Sequence, residues 1–366
     1  MTTRGAVRPV DAASREDAPS AHRLCVAPMM AWTDRHCRFL HRLAAPSARL
    51  YTEMLSTDAL LHGDAERLLA FDRAEHPVAA QIGGSDPAHL AKAARLVERA
   101  GFDEVNLNVG CPSARVQRGG IGACLMREPR RVADGIAAMR AAVTIPVTVK
   151  CRIGVTDTAA GERSAWEREG HAARENAARN DFGALRDFVG EVAQAGVRVF
   201  IVHARKAVLK GLTPAQNRCV PELRPELVER LARELPHLAV IVNGGIRESE
   251  AAHGYLHWAA GIMVGRKAYQ DPVWLSRLDA DLCGTTPKTA EQVFGAYLPY
   301  VARRLGEGVP LRDMTRHMLT LFNGRPGARA YRRHLSAHQR NPHANVHSLL
   351  AAAGFVCQST PAASAA

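Results

Sequence analysis

Eight times between residues 24 and 266 a short, β-rich apolar run gives way to an amphipathic segment with helical spacing. This alternation constrains the fold more than any other feature of the chain. The strand-like runs fall at 24–29, 48–54, 77–83, 104–109, 146–152, 198–203, 238–243 and 261–265. Helical periodicity marks 86–100, 130–143, 184–195, 225–235 and 247–259 between them. Asp86-Pro87 and Asp271-Pro272 read as N-caps followed by proline in the first turn. Eight strand–helix units over about 250 residues predict an α/β fold of the (β/α)8 TIM barrel type. A doubly wound open sheet is the competitor, but no Gly-x-Gly-x-x-Gly follows the first strand.

In such a barrel the carboxyl ends of the strands converge on one rim. The sequence brings Pro28, Met29 and Met30 there from the first strand, Glu53 from the second and Gln81 from the third. The fourth brings Asn106, Asn108 and Cys111, the fifth Lys150 and Arg152, and the sixth His203, Arg205 and Lys206. Gly110 and Pro112 set Cys111 on a loop where the strand must end. Two readings of this thiol stand: a buried structural cysteine, or one within reach of a ligand. Asn243-Gly244-Gly245 and Gly265-Arg266 follow strands seven and eight, where barrels commonly hold phosphate on free N–H groups and a cation. A phosphate there, with Gln81, Lys150 and His203 facing inward, suits a phosphorylated planar cofactor such as FMN. Lys150 either forms a salt bridge in the barrel or sits at the pyrimidine edge of such a flavin and stabilises its anionic reduced form, and the sequence supplies no obvious carboxylate for it.

The chain divides on this reading into a disordered leader (1–22), the barrel (23–284), an all-helical C-terminal domain (285–354) and a disordered tail (355–366). A weakly patterned stretch, 155–181, interrupts the barrel and is expected to be a solvated rim loop, partly helical at best. The net charge of +12 is unevenly spread: residues 287–354 hold ten Lys and Arg against three acids, a net +7. Arg329, Arg332 and Arg333 share one helical face, and Arg312 and Arg316 repeat the spacing earlier. Such a face is either solvated or a nucleic-acid surface, and the lack of interleaved acids favours the second. Aromatics make up 5% of residues, which argues against a base-stacking platform. The eight cysteines form no CxxC pair and no secretory signal precedes them, which predicts reduced thiols, a cytoplasmic location and no structural zinc. No apolar run of ~18 residues exists to span a membrane.

The motifs together resemble the tRNA-dihydrouridine synthases. The resemblance runs from about residue 23 to 350. It rests on Val26-Ala-Pro-Met-Met, Trp32-Thr-Asp-Arg-His, Gln81-Ile-Gly-Gly, Asn106-Leu-Asn-Val-Gly-Cys-Pro-Ser, Val149-Lys-Cys-Arg-Ile-Gly, His203-Ala-Arg-Lys, Asn243-Gly-Gly-Ile and Val264-Gly-Arg. Gly211-Leu-Thr-Pro, Asn217-Arg218, Thr315-Arg-His-Met-Leu and Pro326-Gly-Ala-Arg are similar to the bacterial A subfamily, whose members modify uridines 20 and 20a of the tRNA D-loop. The resemblance implies an FMN barrel, NADPH as reductant, tRNA as partner and no obligate protein partner. It implies FMN contacts at Pro28, Met29, Met30, Ala31, Gln81, Lys150 and His203, and phosphate contacts at Asn243, Gly244, Gly245, Gly265 and Arg266. Cys111 becomes the proton donor, and Asn108, Arg218, Arg329 and Arg332 the residues that touch tRNA. Ala31 stands where an acidic residue is frequent, and Ala215 where a lysine can occur.

The implied chemistry sends hydride from reduced FMN to C6 of uracil and a proton from Cys111 to C5. Thiols, with an ordinary pKa of about 8.5, are protonated at neutral pH and suit that task. Two other readings compete: a flavin barrel acting on a free pyrimidine, as in dihydroorotate-type dehydrogenases, and a non-catalytic tRNA-binding protein that retains the scaffold. The first has no need of an arginine-faced domain; the second has no need of Cys111, Lys150 and His203 together.

Overall fold

The computed structural model describes residues 21–158, 171–338, 341 and 344–357. Eight parallel strands close on themselves: β1 (Leu24–Val26), β2 (Arg49–Tyr51), β3 (Val78–Gly83), β4 (Glu104–Val109), β5 (Val147–Arg152), β6 (Val199–His203), β7 (Ala239–Asn243) and β8 (Gly261–Val264). Each pairs with its sequence neighbours, and β8 returns to β1 with Ile262 opposite Leu24. All eight predicted strands are present, with ends trimmed by up to three residues. The predicted helices are also present as α2 (Pro87–Arg99), α3 (Pro129–Ala142), α4 (His171–Gln194), α5 (Pro225–Glu234) and α6 (Ser249–Leu256), after α1 (Arg35–Ala44). Asp86 accepts from the His89 N–H at 2.8 Å, capping α2 as expected. Asp271 caps α7 (Pro272–Cys283) by accepting from Trp274 N–H at 2.9 Å.

Period-two alternation decides what each strand offers the interior. In β6, Phe200 and Val202 pack outward under the helices, whereas Val199 and Ile201 join Cys25, Tyr51, Ala79, Ile241 and Met263 in the barrel lumen. Burial of apolar side chains of this size contributes about 1.5–3 kcal/mol each. The inward parity continues upward to His203 in β6, Asn243 in β7 and Gln81 in β3. In β4 and β5 it selects Glu104, Asn106 and Asn108, and Thr148, Lys150 and Arg152. The apolar partners of these residues, Val105, Leu107, Val109, Val149 and Cys151, face outward.

Within 155–181 the structure adds a short strand to the partly helical insertion that the sequence allowed. Val155–Thr158 is a strand that pairs in parallel with Ala207–Lys210, and α4 already runs from His171. Asp181 anchors the rim by pairing with Lys206 Nζ at 2.6 Å and Arg224 Nη1 at 3.0 Å. Residues 159–170 lie outside the described residues. The predicted leader overreaches at its end, because His22 is buried with Nε2 2.6 Å from Glu104 Oε2; residues 1–20 lie outside the described residues. The predicted tail likewise starts too early, since 355–357 complete the last helix; 358–366 are not described.

The C-terminal helices are α8 (Ala290–Gly306), α9 (Leu311–Thr315), α10 (Ala328–His338) and α11 (Val346–Cys357). Their core includes Val293, Tyr297, Met314, Met318, Phe322, Tyr331, Leu335 and Leu349, together with Leu40 and Ala44 from the barrel helix α1. Polar contacts reinforce this shared seam: Tyr300 OH lies 2.7 Å from His36 Nδ1, and Tyr297 OH donates to the His36 carbonyl at 3.1 Å. Trp32 stacks on Tyr269 with ring centroids 4.4 Å apart. Asp34 pairs with Arg316 and lies 3.0 Å from His317 Nε2. Arg316 is therefore engaged in the seam and does not repeat the outward arginine face expected of it.

Candidate active site at the barrel rim

The loop after β4 is held almost entirely through its backbone. Asn108 Oδ1 accepts from Gly110 N–H at 3.1 Å and Cys111 N–H at 3.0 Å, and the Cys111 carbonyl accepts from Ala123 N–H at 2.9 Å. Arg152, buried below, donates to the carbonyls of Gly110, Lys206 and Asn217, each at 2.9 Å. Gln117 Nε2 ties Pro112 to Leu209 with donations of 2.7 and 2.9 Å. Cys111 itself is half-buried at the strand end. Gly122 makes the close turn possible: its φ is +77°, and a Cβ there would sit 2.6 Å from the Cys111 carbonyl oxygen. Gly122→Ala is expected to cost about 1–2 kcal/mol from the backbone alone, with the clash in addition, and to slow turnover by shifting Cys111. Urea unfolding and steady-state rates check it together.

Beside this loop lies a basic, carboxylate-poor hollow. Lys150 donates from Nζ to Asn243 Oδ1 at 3.1 Å, and Asn243 donates from Nδ2 to the Met263 carbonyl at 2.7 Å. Burial, then Arg152, pushes the Lys150 ammonium down to about 8. Burial also keeps His203 neutral well below its ordinary range, with Arg152, Lys150, Arg205 and Arg266 adding to the effect. The charges shifting Lys150 belong to Arg152 and to the thiols of Cys151 and Cys111, and among the described residues no carboxylate pairs with it. Gly244 and Gly245 have φ of +114° and +72°; a Cβ on the first would meet His203 Cδ2 at 2.7 Å, and on the second Leu223 Cδ2 at 2.4 Å. Their bare backbone lets His203 and Leu223 pack directly against this turn.

The remaining predicted residues fall into two groups. Arg266 donates to Cys219 Sγ and to the Arg218 carbonyl, both at 3.2 Å, which draws Arg218 to the same hollow. Gly265 lies against Met29, whose Sδ would be 3.8 Å from an added Cβ. Pro28 and Met29 are half-buried, Ala31 is exposed, and Met30 is 62% exposed beside them. Ala31 adopts φ +62° and donates its N–H to the Glu53 carboxylate, so its methyl group has no polar role. Arg329 and Arg332 belong to α10, apart from the rim: Arg329 is exposed, and Arg332 Nη1 donates to Asn323 Oδ1 at 2.7 Å. The sequence reading named Arg152 and Asn217 without revealing what they brace. Asn217 is buried and braces Val208 through both its N–H (2.7 Å) and its carbonyl (2.9 Å). Their only signal is a polar residue type at a strand or loop end, which does not reveal partners 42 to 65 residues away. A cleft of about 450 Å³ opens away from this chemistry, at the seam between α7 and α8, lined by Arg277, Lys288 and Arg325 among others.

The dihydrouridine synthase family model matches residues 25–165 and 180–353. The chain belongs to this family. Membership makes it a flavin-dependent oxidoreductase. A tRNA-dihydrouridine(20/20a) synthase of Xanthomonas campestris is 50% identical over 320 residues, covering 87% of this chain and 89% of the relative. One from Vibrio cholerae is 46% identical over 327 residues, covering 88% and 93%. Among solved structures, a morphinone reductase matches with TM-score 0.48 and 13% identity, covering 74% of this chain and 88% of that one. Among the described residues no helix is long and apolar enough to cross a membrane.

Proposed function

We propose that the chain reduces uridine to 5,6-dihydrouridine in the D-loop of tRNA, at positions 20 and 20a, in the cytoplasm, with FMN at the rim and NADPH as electron donor. The observation that carries the reading is a half-buried thiol on a braced loop beside a basic hollow in which, among the described residues, no carboxylate pairs with the lysine. The residues present fit a flavin that ends in a phosphate. Gly244 and Gly245, at positive φ, offer bare backbone beside His203, and Asn243, Gly265 and Arg266 add donors and charge. Gln81, Lys150 and His203 supply polar contacts to the ring, while Pro28, Met29, Met30 and Ala31 form an apolar wall.

FMN held by these residues, once reduced by NADPH, would supply hydride to C6 of the uracil. Cys111 then gives its proton to C5, where negative charge collects after hydride addition. Asn108 uses its oxygen and one N–H on the loop and on Gln81, and keeps a second N–H for a uracil carbonyl. The target base must leave its stack to reach the rim. Arg218 meets the tRNA there, while Arg329 and Arg332 hold its backbone from α10.

Lys150 gives this reading a pH signature. In the ligand-free chain its ammonium is charged below about pH 8. An electron-rich ring edge that accepts from the ammonium raises that value, so binding takes up a proton above pH 8 and affinity falls as pH rises through the window. FMN titrations from about pH 7 to about pH 9.5 check this, and Lys150→Met should flatten the profile. An affinity independent of pH in the unsubstituted protein would detach Lys150 from the cofactor.

The function as a whole is tested by mapping dihydrouridine in tRNA from a strain lacking the gene, with and without the cloned chain. Signal restored at 20 and 20a supports the full proposal. Restoration elsewhere in the D-loop overturns the site assignment, and none, with FMN bound, favours a free-pyrimidine substrate.

A further inference from the structure

We infer that Glu104, at the N-terminal end of β4 and far below the rim, is a positioning residue for Cys111, acting through a one-way chain of hydrogen bonds. Asn108 lies four residue steps further along the strand, a rise of roughly 13 Å. Five side chains, these two ends included, link in series. Thr148 Oγ1 donates to Glu104 Oε1 at 2.6 Å, and Asn106 Nδ2 donates to Thr148 Oγ1 at 2.8 Å. Gln81 Nε2 donates to Asn106 Oδ1 at 2.8 Å, and Asn108 Nδ2 donates to Gln81 Oε1 at 2.8 Å. Asn108 Oδ1 then receives the N–H groups of Gly110 and Cys111.

The direction of every link follows from the lowest one. Glu104 is wholly buried, yet His22, Arg49 and the Thr148 hydroxyl more than offset the burial and hold its carboxyl down to about 2. An ionised carboxylate only accepts, so the single proton of Thr148 points down to it. Thr148 can then only accept from above, which turns the Asn106 amide with nitrogen down and oxygen up. The same constraint passes to Gln81 and to Asn108, whose oxygen is left facing the Cys111 loop. Backbone N–H groups can only donate, so the upper end demands the same polarity. A chain fixed identically at both ends holds three amides in one of their two orientations, and the aligned dipoles reinforce one another. Reversing it sets an amide N–H against the N–H of Cys111. The link from loop position to reaction rests on Cys111 being the proton donor; the chain of bonds does not.

Two substitutions separate this role from simple support. Tyr51 OH also donates to Glu104 Oε1, at 2.9 Å, but lies off the chain. Tyr51→Phe and Thr148→Val therefore each remove one hydroxyl from the same carboxylate oxygen, and only the second cuts the path to Cys111. Hydrogen exchange of the Gly110 and Cys111 amides is measured in the full-length, FMN-loaded protein. Thr148→Val should speed it about tenfold, the equivalent of one lost hydrogen bond, and Tyr51→Phe should leave it unchanged even if both lower the melting temperature. Thr148→Ser should restore protection. Glu104→Gln should reproduce the Thr148→Val effect and add nothing in its background, which gives a second route if one variant does not fold. Equal responses to Tyr51→Phe and Thr148→Val, or additive effects of Glu104→Gln and Thr148→Val, would overturn the inference. Faster exchange with an unchanged single-turnover rate of uridine reduction would keep the chain and overturn Cys111 as its catalytic endpoint.

Discussion

Cys111→Ala should lower the rate of dihydrouridine formation by about 10²–10⁴-fold, the usual range for losing a general acid, while FMN content and tRNA affinity stay unchanged. The separation is expected because the loop is braced by Asn108, Arg152 and Gln117 through backbone atoms, so removing one sulfur leaves its path intact. Of the thiols nearby, Cys124 donates to the Ile121 carbonyl at 3.2 Å. Cys151 faces away from the lumen, and burial pushes its thiol up to about 12. Cys219 is exposed on another loop, where it accepts from Arg266. Rapid mixing of prereduced enzyme with tRNA reads the chemical step directly, and flavin reduction by NADPH in the same preparation serves as the control. A wild-type reoxidation rate in the alanine variant would remove Cys111 from the mechanism. A loss of FMN would instead assign Cys111 to the architecture of the hollow.

The barrel was legible because its information is local. Alternation within each strand, as in Val199, Ile201 and His203 against Phe200 and Val202, fixes which side chains enter the lumen without knowledge of any partner. That parity brought Gln81, Asn108, Lys150, His203 and Asn243 to one rim from sequence alone. What stayed hidden depends on partners distant in the chain. Val155–Thr158 carries little strand signal of its own and becomes a strand by pairing with Ala207–Lys210. Arg152 reads as one more basic rim residue until its three carbonyl partners converge from separate loops. Asn108 was read for its reach towards substrate, whereas most of its amide is committed to the loop and to Gln81. Arg316 has the spacing of a surface arginine, but Asp34, 282 residues away, turns it into the seam. Periodicity identifies a face; only the fold says what meets it.

Arg329→Glu combined with Arg332→Glu tests the part of the proposal farthest from the rim. Tyr331 and Leu335 bury one side of α10, which leaves Arg329 and Arg333 exposed and Arg332 half-exposed beside them. Reversing two arginines changes the charge of this region by four units against a net +7 in residues 287–354. Affinity for tRNA should fall about 10- to 100-fold at physiological salt, and the slope of log K against log salt should flatten by roughly two contacts' worth. Stability should change little, because the one bond lost, from Arg332 to Asn323, is on the surface and contributes about 1 kcal/mol or less. Flavin reduction by NADPH should keep its wild-type rate, since neither residue reaches the hollow around Lys150 and His203. Filter binding across a salt series, with stopped-flow reduction alongside, separates the two functions. If tRNA binding held while reduction slowed, α10 would belong to the reductant's path and not to the nucleic acid's.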